Sequence, residues 1–119
     1  MKNIAFVFSH VPYGTSLSKE GLDSVLSISM INPNVSIFFI GDGVFQLMKN
    51  QSPEHILLHN YVSSFGILPF FGINQLYYCK ESLIERGLFH EHDFFLDICI
   101  ISRTCIRKKF EEYDLIINF

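Results

Sequence analysis

The residues of this 119-residue chain that could do chemistry are few, and Cys79 comes first among them. It follows Gln75-Leu76-Tyr77-Tyr78, a strand-like run, and precedes Lys80-Glu81-Ser82-Leu83, which opens a helix. A thiol at a helix N-terminus faces unpaired backbone N–H groups and the positive end of the helix dipole, and both favour the thiolate. Lys80 adds to that field and Glu81 opposes it. A thiolate is the nucleophile of sulfur transfer, in which a persulfide passes from one cysteine to the next. A small cysteine filling a strand end is the other reading, and the residues alone leave both open. Cys99, in the apolar run 94–101, and Cys105, on a helix, read as packing residues.

The remaining polar groups offer less. Asp42, between Gly41 and Gly43, is placed to cap a short helix, a simpler role than acid or base. His90-Glu91-His92 brings two imidazoles close together, but no third or fourth ligand stands nearby, so no metal is expected. His10, His55 and His59 have no evident catalytic partner, and no Ser/His/Asp arrangement can be assembled. The loop 9–15 joins a strand to a helix and so resembles a phosphate cradle. It lacks both glycine-rich fingerprints, and a tight turn with a helix cap accounts for it. A nucleotide- or flavin-binding module remains the rival reading of that loop; no cofactor is expected.

These residues have to be placed by elements that the hydrophobic pattern spells out. Apolar runs over 4–9 and 35–40 are continuous rather than alternating, as in strands of a parallel sheet covered on both faces. Between them, Leu22, Val25, Leu26, Ser29 and Met30 share one face of a helix over 17–31, which Asn32-Pro33-Asn34 stops. The pattern then predicts a short helix over 42–48, a loop over 50–54 and a helical stretch over 56–68. A strand over 74–78 and a helix over 80–86, closed by Gly87, come next. The remaining elements are a strand over 94–98, a helix over 102–110 and a strand over 113–118. Strand and helix alternate with short connections, which specifies a single α/β domain over 1–119. Its sheet is doubly wound, mostly parallel and five-stranded, with helices on both faces. Ligands of such sheets gather beyond the carboxyl ends of the strands, where loop 9–15, the Gly41-Asp42-Gly43 turn and Cys79 should meet.

Composition restricts the partners. Hydrophobic residues make up 49% of the chain, with 13 Phe and no Trp, and mean hydropathy is +0.28. That surplus favours an obligate oligomer, since contiguous apolar surface marks interfaces. Net charge is −3 and the densest basic run, 103–109, is followed at once by Glu111, Glu112 and Asp114. It reads as a solvated helix face, and no direct contact with nucleic acid is expected. Three cysteines at these spacings make no disulfide framework or zinc motif, which suits a reducing, cytoplasmic setting. The apolar N-terminus is too short for a signal peptide, and no segment approaches a membrane span.

Taken in order, several segments resemble the TusC/DsrF family. Met1-Lys2-Asn3-Ile4-Ala5-Phe6-Val7-Phe8-Ser9, Pro12-Tyr13-Gly14-Thr15 and Glu20-Gly21-Leu22-Asp23 are similar to the family's opening. Phe38-Phe39-Ile40-Gly41-Asp42-Gly43-Val44-Phe45-Gln46-Leu47 is similar to its second strand and turn. Cys79, Ser82-Leu83 and Glu85-Arg86-Gly87-Leu88 resemble its third-strand junction, and Tyr113-Asp114 with Asn118-Phe119 its ending. The resemblance implies a DsrE-like fold. It also implies a cytoplasmic heterohexamer, a dimer of trimers, with TusB-like and TusD-like subunits. Such complexes relay persulfide sulfur through a TusE-like carrier toward 2-thiolation of the modified wobble uridine of tRNA. In the family the essential relay cysteine is assigned to the TusD subunit. The leading expectation is therefore a largely structural subunit, and the alternative is a sulfurtransferase subunit that carries persulfide on Cys79.

Overall fold

The computed structural model describes residues 2–10, 17–45, 72, 73, 75–88 and 98–119. Its strands are β1 (Ile4–Phe8), β2 (Val35–Phe39), β3 (Leu76–Cys79), β4 (Cys99–Ile101) and β5 (Leu115–Asn118). Its helices are α1 (Leu17–Ser29), α2 (Lys80–Glu85) and α3 (Arg103–Phe110), and a 3-10 turn covers Gly41–Phe45. The strands form one sheet in the order β4-β3-β2-β1-β5, and every pairing is parallel. The expected α/β class is correct.

The two continuous apolar runs hold the middle of that sheet. All five residues of β1 and all five of β2 are buried, because helices or turns cover both faces there. Alternation then sorts the side chains. Ile4, Phe6 and Phe8 join Ile37, Phe39, Leu76 and Tyr78 on one face, packed with Leu22 and Val25 of α1 and Leu83 of α2. Ala5, Val7, Phe38 and Cys79 lie on the other, packed with Ile106 of α3. The register brings Phe8 beside Phe39, and Phe39 beside Tyr78. Their rings follow in a row, with centroids 5.6 and 4.7 Å apart. Burial raises the Tyr78 phenol well above its ordinary pKa, so this row is uncharged at physiological pH.

Several expected boundaries move. β3 starts two residues later than expected and ends on Cys79, making the thiol the last residue of the strand. Of the strand expected over 94–98, residues 94–97 lie outside the described residues; β4 is Cys99–Ile101, directly after Ile98. The run 94–101 is interrupted at Asp97, and Cys99–Ile101 is the part of it that pairs with β3 among the described residues. The helix expected over 42–48 is a 3-10 turn over Gly41–Phe45, and residues 46–48 lie outside the described residues. So do the loop over 50–54 and the helical stretch over 56–68. Gly87 ends α2 as expected: its φ is +70°, and its N–H donates to Ile84 O while that of Leu88 reaches back to Leu83 O. No helix among the described residues is long and apolar enough to cross a membrane.

The last crossover matters most for the site. β4 and β5 are the two edges of the sheet, so the chain between them must cross a whole face. That segment is α3. It begins two residues after Ile101, and Ile101 pairs with Cys79. Its first turn is thereby delivered beside the end of β3.

Candidate functional site

Cys79 is the N-cap residue of α2, with φ −75° and ψ 118°, and its side chain makes no capping hydrogen bond. It is 1% exposed. Its Sγ lies 3.9 Å from Glu81 Oε1, within reach of a weak S–H donation. The same carboxylate oxygen accepts the Arg103 backbone N–H at 2.8 Å. That backbone bond, followed by one from Glu81's own N–H, holds the Glu81 pKa below its ordinary 4.5. The first turns of α2 and α3 are joined through this one carboxylate.

Arg103 reaches onward, its Nη2 donating to Glu85 Oε1 at 2.8 Å. Its pKa is raised, by Glu85 first and by the neighbouring Cys79 second. Across the cleft, Arg86 Nε donates to Asp42 Oδ1 at 3.0 Å and Nη1 to Ser82 O at 3.1 Å. The buried Ser82 hydroxyl accepts the Gly41 N–H at 2.9 Å. Asp42 therefore serves as the anchor of Arg86 in place of the capping role expected for it. The turn it belongs to is pressed so closely on β1 that a Cβ on Gly43 would sit 1.8 Å from Phe8 O.

Together these groups enclose a cleft of about 350 Å³ at the carboxyl end of the sheet. Cys79, Gly41 and Ser82 line it, with Arg86, Arg103 and Arg107 supplying positive charge and Ile106 and Phe110 an apolar side. A second cleft of about 350 Å³ opens at the opposite end, around Asn34, Ser36, Gln75 and Tyr113. Burial raises the Tyr113 pKa there. Only the first cleft combines a nucleophile with cations at the end of a parallel sheet where such sites form.

Of the three segments expected to converge, the structure brings two together, the Gly41-Asp42-Gly43 turn and Cys79. In the third, residues 11–16 lie outside the described residues, as do His55, His59 and the His90-Glu91-His92 group. Among the described residues no three His, Cys, Asp or Glu side chains gather as metal ligands. Cys99 and Cys105, expected as packing residues, are both exposed. Cys99 opens a three-residue edge strand, and Cys105 is one position away from Ile106, the buried residue of α3. Arg103, Arg107 and Lys108 of the basic run 103–109 are exposed, as expected of a solvated helix face. Arg103 and Arg107 line the cleft, while Lys109 sits over the Tyr77 ring with Nζ 4.8 Å from its centroid. Their spacing of four residues shows that Arg103 and Arg107 share a helix face. The strand order was needed to show what that face meets.

A fold with one parallel five-stranded sheet and a cysteine at the end of its third strand defines a class, and comparison with known proteins gives the family. Residues 2–119 match the model of the DsrE/DsrF-like family, and the chain belongs to that family. It is 61% identical to Protein TusC of Buchnera aphidicola subsp. Baizongia pistaciae (strain Bp), over 119 residues and the whole of both chains. It is 56% identical, over the same extent, to Protein TusC of Buchnera aphidicola subsp. Acyrthosiphon pisum (strain 5A). The crystal structure of the ychN protein from E. coli shares the fold, with TM-score 0.78 over all of both chains at 18% identity.

Proposed function

We propose that this chain is a subunit of a bacterial sulfur-relay complex needed for 2-thiolation of the modified wobble uridine of tRNA. The observation that carries the proposal is end-to-end similarity, up to 61%, to proteins named TusC. The reading includes assembly with TusB-like and TusD-like subunits into a heterohexamer, contact with a TusE-like carrier through that complex, and a cytoplasmic setting. Exposed Met30, Ile31, Leu115 and Ile116 agree with a chain that associates. Co-expression with two such companions, followed by size exclusion, tests it. A stable complex containing all three chains is expected, and elution of this chain by itself would contradict it.

A second reading has Cys79 carry persulfide within the complex, and the cationic cleft at that thiol favours it. Arg86, Arg103 and Arg107 line that cleft together with Cys79, the first two held in place by Asp42 and Glu85. In this step the Cys79 thiolate attacks the outer sulfur of a donor persulfide, the donor's S–S bond breaks, and the donor leaves as its thiolate. With Cys79→Ser, this reading expects loss of tRNA thiolation in cells. Unchanged thiolation would leave the structural role alone.

A further inference from the structure

We propose that the cleft over Cys79 is a binding site for small sulfane-sulfur anions, from which Cys79 takes sulfur directly; this rests on the reading of Cys79 as a persulfide carrier. The charge distribution carries the inference. The chain as a whole is at −3, yet the charged side chains lining this cleft are three arginines against one carboxylate, Glu85. Two of the guanidinium groups are anchored from one side, Arg86 by Asp42 and Arg103 by Glu85. That fixes their position; Arg86 is tied further by Nη1 to Ser82 O, and the remaining N–H groups of the two are the donors a ligand would use. Arg107, one turn further along α3, has no ion-pair partner among the described residues. The carboxylate nearest the sulfur, Glu81, is engaged by the Arg103 N–H. At about 350 Å³, the cleft lies at the small end of ligand sites, where a low-molecular-weight donor fits.

The transfer balances without an outside oxidant. The Cys79 thiol gives its proton to water, and the thiolate attacks the donor's outer sulfur. The S–S bond of the donor breaks and its electron pair departs with the leaving group, sulfite from thiosulfate or glutathione thiolate from glutathione persulfide. Cys79 is left as a persulfide. The arginines hold the anionic part of the donor and stabilise the charge that leaves.

The experiment loads the reduced full-length chain with thiosulfate, with glutathione persulfide, or with the cationic donor cysteamine persulfide. Bound sulfane sulfur is then released as thiocyanate by cyanide and measured. Loading by either anionic donor, lost in Cys79→Ser, is expected, and the donor that loads identifies the source. Arg103→Gln and Arg107→Gln should each raise the half-saturating concentration of that donor about tenfold, as for a lost charged hydrogen bond. The cysteamine persulfide curve should not shift to higher concentration, because losing a positive charge does not weaken a cationic donor. Circular dichroism checks the fold, and the exposed Arg107 provides the variant least able to disturb it. Failure of both anionic donors, or unchanged half-saturation in both arginine variants, overturns the proposal. If a persulfidated protein still loads Cys79, the carrier reading survives alone. If no donor loads it, both fall.

Discussion

At the scale of single residues, Glu81 and Cys79 form the most informative pair. The Glu81 carboxylate links the first turns of α2 and α3, so it contributes to stability while ionised. Its pKa is lowered in the folded chain. That contribution is therefore fully present above the ordinary carboxylate range and is lost as pH falls through the folded value. Glu81→Gln should lower the urea midpoint near pH 7 and flatten the acid-side decline below about pH 4.5, relative to the parent. Equal declines in the two proteins would show that the carboxylate makes no such link. The place of Cys79 at a strand-to-helix junction was legible, because the strand-like run ends and the helical run begins on either side of it. Its depth was not, since burial depends on which helix crosses the sheet above it.

Among the elements, the 3-10 turn and α3 decide the shape of the cleft. The sequence identified the Gly41-Asp42-Gly43 turn as a meeting point but suggested the wrong task for Asp42. A capping role is local, whereas the pairing with Arg86 spans 44 residues and exists only because β2 and β3 are adjacent. Gly43→Ala would place a methyl group against the Phe8 carbonyl. The backbone there cannot give way cheaply, so a loss of about 3 kcal/mol in urea unfolding is expected. A change within about 0.5 kcal/mol would mean that the turn is looser than described. α3 is held to the sheet by Ile106, which is 3% exposed. Ile106→Ala should cost about 2–4 kcal/mol. It should also weaken cysteine-directed sulfur loading, because Arg103 and Arg107 ride on the same helix. Full loading in a destabilised variant would separate the two effects.

For the molecule as a whole, hydrophobic pattern was the reliable guide. Continuous apolar runs at β1 and β2 specified buried parallel strands, and the structure places both in the centre of the sheet. The edges were harder to read. The run over 94–101 is interrupted at Asp97, and β4, the strand described after it, lies at an edge, where fewer apolar positions are needed to hold it. The order β4-β3-β2-β1-β5 was beyond the sequence altogether. It is this order that carries α3 across the face and sets part of the solvent-exposed basic run along the cleft at Cys79. Membership of the DsrE/DsrF-like family was legible in the ordered set of short segments, and the full-length match agrees with it. The central claim, service in a sulfur relay, is tested most directly in a bacterial host lacking its own counterpart of this chain. The chain and its two companions would be expressed there, and 2-thiouridine in wobble-position tRNA measured by mass spectrometry. Restoration that depends on this chain is the result expected, and an assembled complex that leaves tRNA unthiolated would contradict it.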